Sequence, residues 1–303
     1  MSAQGSNPTK AIMYAFFANL GVAIAKSVAA YFTGSSSAIA EVCHSIADCG
    51  NQLLLLVGIK RAQKKADIEH PLGYGKASYF WSFMVAILLF TVGGMFSIYE
   101  GTHKLFHPEP MSHAWILIVV LVISIVLEGA SLRGCLVEIK KARGERTLRE
   151  WIRHTRNSEL LVVLGEDYAA QIGLLLALGF VVIATVTGNP VYDAMGSICI
   201  GVLLVTVAVF ISIKVKALLI GRSADPDTID KIKNIIDKDQ DVLELYNAVT
   251  MQMGPKAMLA IKIRMRETML VGDAARAINE LERDIKEAIP DIGWCFVEID
   301  VAN

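Results

Sequence analysis

Over its first two thirds the chain alternates long apolar runs with short polar connections. From Ala11 to Phe32 the strongly polar residues are only Asn19 and Lys26, and the run is long enough for the roughly 20 helical residues that cross a hydrocarbon core. A second run, Ser35 to Ile59, follows the short turn Gly34–Ser37 and ends at Lys60-Arg61, so the first two helices are predicted to be antiparallel neighbours. Further runs extend from about Ala77 to Glu100, Ala114 to Cys135 and Leu160 to Val186, and from the turn Thr187–Pro190 to Lys214 and Lys216. Tyr79, Phe80 and Trp81 open the third of these, where an interfacial aromatic belt is expected. The pattern predicts six spans.

After Gly221 the periodicity changes. Asp225-Pro-Asp-Thr228 reads as a helix start with Pro just inside it, leading into Ile229, Ile232, Ile235 and Ile236 at helical spacing. Leu243–Met253 and Met258–Met265 alternate as strands on either side of Gly254-Pro255. Gly272–Ala288 returns to the helical period with Ala275, Ile278, Leu281 and Ile285, and Trp294–Val301 alternates as a closing strand. Helix, strand, strand, helix, strand makes a small ferredoxin-like or metallochaperone-like α+β layer, whose limited core would be stabilised by pairing with a second copy. The predicted fold is therefore a membrane-embedded all-α bundle of six helices over residues 1–221, followed by a cytoplasmic α+β (αββαβ) dimerisation domain over residues 222–303.

Composition agrees with this division. Apolar residues make up 54% of the 303 and charged residues 19%, below the roughly 25% charged of soluble domains, and the mean hydropathy is +0.48. The basic residues gather in two connections: Lys60, Arg61, Lys64, Lys65 and Lys76 after the second span, and Lys140, Lys141, Arg143, Arg146, Arg149, Arg153 and Arg156 after the fourth. The positive-inside rule puts those loops, and with six spans both termini, in the cytoplasm. Net charge is −1 with no basic patch that implies nucleic acid. The five cysteines form no CxxC pair, which supports neither a disulfide framework nor a zinc-finger spacing. The first ten residues are small and polar with one Lys, and the apolar segment after them is a full span, so no cleaved leader is expected. Compact loops favour a bacterial inner membrane.

The chemistry centres on Glu41-Val-Cys-His-Ser-Ile-Ala-Asp48 in the second span. His44 and Asp48 are four residues apart and Glu41 is three before His44, so all three share one helical face in metal-ligand geometry. An Asp at the centre of a span costs about 2.5 to 3.5 kcal/mol on insertion scales, which makes such a group a functional site facing the bundle interior by default. Glu128, Glu166, Asp167 and Gln171 are the matching polar residues of spans four and five. Lys26 and Asp193 are further intramembrane charges, available to pair with Glu128 or to line a water path.

These features resemble the cation diffusion facilitator family of divalent-metal/proton antiporters. The resemblance rests on the six spans, the turn Gly34–Ser37, the His44-Ser-Ile-Ala-Asp48 motif, the loop Asp67-Ile-Glu-His70-Pro-Leu-Gly-Tyr-Gly-Lys76 and the α+β tail, in family order. It implies a transport site made of two ligands on span two, here His44 and Asp48, and two on span five. Span five offers Gly165-Glu166-Asp167-Tyr-Ala-Ala-Gln171 in place of a second HxxxD. Counting back from Asp193 selects Asp167 and Gln171; a shift of one residue selects Glu166 with Ala170. Successive helical residues point about 100° apart, so Glu166 and Asp167 cannot face one ion together, and Asp167 is the preferred ligand with Glu166 second. One imidazole with carboxylates and an amide suits Zn²⁺ and is acceptable to Mn²⁺, Fe²⁺ or Co²⁺. Ligands that bind metal only when deprotonated couple metal entry to proton release. Glu41 is placed to orient His44.

The resemblance further implies a loop site of one Asp and two His, of which Asp67 and His70 are present and Tyr74 stands at the remaining position. No histidine follows His154, so the tail is expected to dimerise without a zinc cluster, with Glu298 and Asp300 forming a polar face of the last strand. The implied function is export of Zn²⁺, or a related divalent cation, from the cytoplasm in exchange for protons by a homodimer in the lipid bilayer, with no enzymatic activity and no resident cofactor. The alternative is a non-transporting membrane partner of a related transporter, which should have lost the acids of span five rather than kept two.

Overall fold

The computed structural model describes residues 7–33, 36–107 and 114–302, apart from the side chains of residues 29, 30, 32, 33, 36–41, 43, 44 and 114. Helices α1 (Pro8–Thr33) and α2 (Ser36–Ala62) are followed by α3 (Ala77–Leu88), which passes through a π-helical segment, Leu89–Met95, into α4 (Phe96–Phe106). Then come α5 (Ala114–Arg143), a short α6 (Leu148–His154), α7 (Ser158–Thr187) and α8 (Val191–Ile220). Five stretches among the described residues are long and apolar enough to cross a membrane: Pro8–Val28, Ala77–Phe106, Trp115–Arg143, Ser158–Thr187 and Val191–Ile220. Helix α2 has 27 residues and packs against α1 and α3, but Asp48, Asn51 and Gln52 make it more polar than the other five. Neighbour contacts close a ring in the order α1, α2, α3–α4, α8, α7, α5, with Phe17, Ile24, Val126 and Val186 exposed on its outside.

Two features escaped the sequence pattern. The fourth apolar helix continues two turns past Cys135 to Arg143, because Cys135 and Ile139 remain buried while Lys140 and Lys141 emerge. The third is not one regular helix. In the π segment, Thr91 Oγ1 donates to the carbonyl of Ile87 at 2.9 Å and Ser97 Oγ to that of Gly93 at 2.6 Å, so hydroxyls satisfy carbonyls around the widened turn. Small residues bring this helix onto α8: a Cβ on Gly94 would meet Val205, and one on Gly201 would lie 2.8 Å from Gly94 O. Close backbone packing of this kind is how membrane helices gain van der Waals contact in place of a hydrophobic drive.

Ile12, Leu55, Tyr79, Ile139, Leu160, Ile211 and Leu218 are fully buried. All lie in the helix ends nearest the C-terminal elements, so among the described residues the largest fully buried side chains of the bundle gather at that end.

Asp225 caps α9 (Pro226–Ile236), its side chain accepting from the Asp227 N–H, with Pro226 in the first turn where its missing N–H costs nothing. Strands β1 (Val242–Met253), β2 (Lys256–Met265) and β3 (Ile292–Ile299) lie in the order β1-β2-β3, and α10 (Val271–Ala288) provides the crossover from β2 to β3. β1 pairs antiparallel with β2, Thr250 opposite Leu259, and β2 pairs parallel with β3, Leu259 opposite Cys295. Ile232, Ile236, Leu259, Ile263, Leu281 and Ile285 fill the space between the helices and one sheet face. The αββαβ order is the one the periodicity predicts.

The β1–β2 turn reaches back to the bundle. Tyr79 OH, at the start of α3, donates to the Gly254 carbonyl at 3.0 Å, and the two backbones touch at Gly75 and Gly254, the latter with φ +80°. On the other side, Arg146 donates both terminal nitrogens to Asp225, at 2.7 and 2.8 Å, and pairs with Asp227. Arg156 donates to the carbonyls of Ser223 at 2.8 Å and Ala224 at 3.0 Å. Burial, reinforced by the nearby Arg222 charge, pulls the Arg156 guanidinium down to about 10. The basic loop, which reads in sequence as a topology signal, thus contains two side chains that hold residues 223–227.

Candidate functional site

From α2, Gln52 reaches Glu166 of α7, and Asp48 lies within the field of Glu166 and of Glu128 of α5. The side chains of Glu41 and His44 lie outside the described residues. Asp48 is half-buried and stands at the wall of a cavity of about 410 Å³ between α2 and the π segment, lined also by Asn51, Leu54, Leu89, Val92 and Gly93.

Helix α7 divides Glu166 and Asp167 between different partners. Glu166 turns to α2: its Oε2 accepts from Gln52 Nε2 at 2.8 Å, Asn51 faces the same carboxylate, and the charges of Asp48, Asp167 and Glu128 bear on it. Asp167 turns to α5 and accepts from Ser131 Oγ at 3.0 Å. Gln171, one turn further, also faces α5, its Oε1 3.7 Å from where a Cβ on Gly129 would stand. The two acids diverge for the reason the helical step gives, and the one beside Asp48 is Glu166.

Glu128 is 5% exposed, within the field of Asp48 and of Lys26. Asp193 does not join it; Lys104 sits 3.7 Å from Asp193 and 3.0 Å from Glu100 at the far end of the bundle. Among the described residues no three His, Cys, Asp or Glu side chains converge on one ion-sized space. Asp48, Glu128 and Glu166 instead form a loose ring of mutually repelling carboxylates. Lys26 bears on Glu128 and not on Glu166, and gathering buried carboxylates costs several kcal/mol per ion, a cost that a bound cation or protons would offset.

The loop residues are already committed. Asp67 accepts from Lys64 Nζ, Tyr74 OH and the His70 N–H, each at 2.8 Å, and these bonds hold its carboxyl far below the ordinary carboxylate range. The His70 and Tyr74 rings stack with centroids 4.1 Å apart. An ammonium stands where a metal would compete for Asp67. In the tail, Lys262 Nζ lies 2.5 Å from Asp300 Oδ2 and within the field of Glu298, so a tethered cation occupies that polar face as well.

Gln52 and Asn51 were not singled out by the sequence pattern. The signal was present: residues 44, 48 and 52 follow one another at intervals of four, and an Asn-Gln pair in an apolar helix is itself expensive.

A family profile described as the cation efflux transmembrane domain matches residues 12–220, and one described as the cation efflux protein cytoplasmic domain matches residues 224–301. The chain is 34% identical over 231 residues, 76% of its length, to the proton-coupled zinc antiporter SLC30A9, mitochondrial, of Xenopus laevis, covering 41% of that protein. It is 35% identical over 228 residues, 74% of its length, to metal tolerance protein C4 of Arabidopsis thaliana, covering 50% of it. It thus spans half or less of these two relatives. Magnetosome protein MamB of Magnetospira is 25% identical over 90% of both chains.

Proposed function

The chain belongs to the cation efflux, or cation diffusion facilitator, family, and from that premise we propose that it is a secondary transporter exporting Zn²⁺, or a related divalent cation, in exchange for protons. The observation that carries the reading is the carboxylate ring, in which buried Glu166 of α7 meets Gln52 of α2 within the field of half-buried Asp48. A divalent ion cancels two of the repelling charges there, and protons returning from the other side cancel them after it leaves. Antiport is a property of such a ring: metal and protons compete for the same oxygens.

His44, Asp48 and Glu166 hold the ion in this reading. Asp167 and Gln171, the ligands preferred from the spacing, face α5 instead, Asp167 through Ser131, and Glu128 closes the ring. Helix α2 crosses as the sixth span, both termini lie in the cytoplasm, and residues 222–303 form a dimerising domain. Support for these assignments comes from the two basic connections, the length of α2 and the match to the cytoplasmic-domain profile. Support for zinc and protons comes from the name of the Xenopus relative.

The test is metal uptake into proteoliposomes with an imposed pH gradient. Transport of Zn²⁺ should need the gradient, Asp48→Ala and Glu166→Ala should abolish it, and Asp167→Asn should slow it less. Uptake unaffected by Glu166→Ala but lost in Asp167→Asn would return the ligand role to Asp167. No uptake by a folded, dimeric wild type would favour a non-transporting partner.

A further inference from the structure

Gln52 lies one helical turn beyond Asp48 on α2 and is wholly buried. Its hydrogen bond to Glu166 fixes the amide, with Nε2 committed to Glu166 Oε2 at 2.8 Å. Two oxygens of this pair, Gln52 Oε1 and Glu166 Oε1, are buried and accept no hydrogen bond of ordinary geometry, with the Asn51 amide facing the same carboxylate. Glu166 is itself 7% exposed. Buried polar atoms are normally satisfied, and leaving one acceptor bare costs about 1–3 kcal/mol. Two such acceptors on one hydrogen-bonded pair, within the field of Asp48 and Glu128, are suited to an occupant that only takes oxygen lone pairs. A metal cation is such an occupant.

Resting on the transport site proposed above, we propose that Gln52 is a direct ligand of the transported cation, its amide oxygen and Glu166 Oε1 adding an oxygen pair one turn beyond Asp48. The ligand line on α2 then has three members at intervals of four, His44, Asp48 and Gln52. The amide has a second role: donating through Nε2, it keeps Oε2 of Glu166 occupied and leaves Oε1 for the ion. The consequence is for selectivity. Neutral carbonyl-type and carboxylate oxygens favour oxygen-seeking ions such as Mn²⁺, whereas imidazole favours Zn²⁺. Gln52 therefore sets how far the site accepts Mn²⁺ beside Zn²⁺.

The experiment is equilibrium binding of Zn²⁺ and of Mn²⁺ to the full-length protein in nanodiscs by isothermal titration calorimetry, for wild type, Gln52→Leu, Gln52→Glu and Asp48→Ala. Gln52→Leu removes oxygen and donor together and should weaken Mn²⁺ at least about 10-fold, in the range seen when a ligand's supporting partners are lost, with a smaller loss for Zn²⁺. Gln52→Glu keeps an oxygen at the same reach and adds charge, and should restore or strengthen Mn²⁺ relative to Zn²⁺. A Mn²⁺:Zn²⁺ affinity ratio equal to wild type in both variants overturns the proposal, since a packing role or a bridging water would not shift that ratio. Should Gln52→Leu fail to fold, the ratio in Gln52→Glu decides alone. Asp48→Ala separates the two readings: wild-type binding in that variant removes the site itself, whereas lost binding there with an unmoved ratio at Gln52 removes only the present inference.

Discussion

A methyl group placed on Gly75 has nowhere to go. Its Cβ would stand 2.0 Å from the Met253 carbonyl oxygen and 2.9 Å from the carbonyl carbon, all backbone, where real side chains keep at least 3.0 Å. Gly75→Ala must therefore push the β1–β2 turn away by about 1 Å (3.0 − 2.0 Å). The Tyr79 hydroxyl bond to Gly254, 3.0 Å long, then stretches beyond hydrogen-bonding range. Overpacking of this kind costs about 1–3 kcal/mol and the lost bond about 0.5–1.5 kcal/mol. The sum, about 1.5–4.5 kcal/mol, raises the undocked population by about 10- to 2,000-fold at 1.36 kcal/mol per decade. Hydrogen–deuterium exchange of peptides covering residues 74–80 and 251–256 in nanodiscs reads this as faster exchange at both places together. Gly179→Ala, at a position where a Cβ meets nothing within 4 Å, is the control and should leave both peptides unchanged. Unaltered exchange in Gly75→Ala would show that the turn is not seated on the bundle in the way described.

Two further outcomes follow from the same junction. Burial works against ionisation of Asp225, but the Arg146 guanidinium outweighs it and holds the carboxyl below its ordinary value. With the folded value depressed, the pair's contribution is present above the unfolded value of about 3.9 and is lost as pH falls through the folded one. The melting temperature of Asp225→Asn should thus lie below wild type by a constant amount from pH 7 to about pH 4, the gap closing only in stronger acid; a gap that closes between pH 7 and 5 would contradict this. Thr147 and Glu150 exchange side-chain-to-backbone bonds at the start of α6, and Thr147→Ala should lower stability by about 1 kcal/mol, measured as a shift in thermal unfolding that Thr147→Ser does not produce.

The periodic elements were legible because burial enforces them. Ile232, Ile236, Leu259 and Ile263 recur at the spacing their element dictates, so both helices and all three strands of the tail could be placed to within a few residues. The apolar runs of the bundle were legible for the opposite reason, since lipid requires apolar residues all round a helix. What the pattern could not reach depends on rotation and on distant contacts. Glu166 and Asp167 are adjacent letters, and only the rotation of α7, beside α5 and across the bundle from α2, decides that one meets Gln52 and the other Ser131. Arg146 and Arg156 look like any other basic loop residues until Asp225 and the carbonyls of Ser223 and Ala224 are brought beside them. The π segment left no mark in hydropathy because a widened turn is as apolar as a regular one.

That widened turn bears on how the gene can change. A π segment holds a residue more than the α-helix it interrupts, and each residue of an α-helix accounts for about 100° of rotation. Losing one residue between Leu89 and Met95 would shift the phase of everything beyond it in a regular helix, throwing Gly101 off its partner on α8. Here the deletion can be absorbed by the surplus residue, leaving α3 and α4 in their present phase. An insertion has no such outlet. The third apolar helix is therefore tolerant of shortening by one position and intolerant of lengthening, an asymmetry that its amino-acid composition does not hint at.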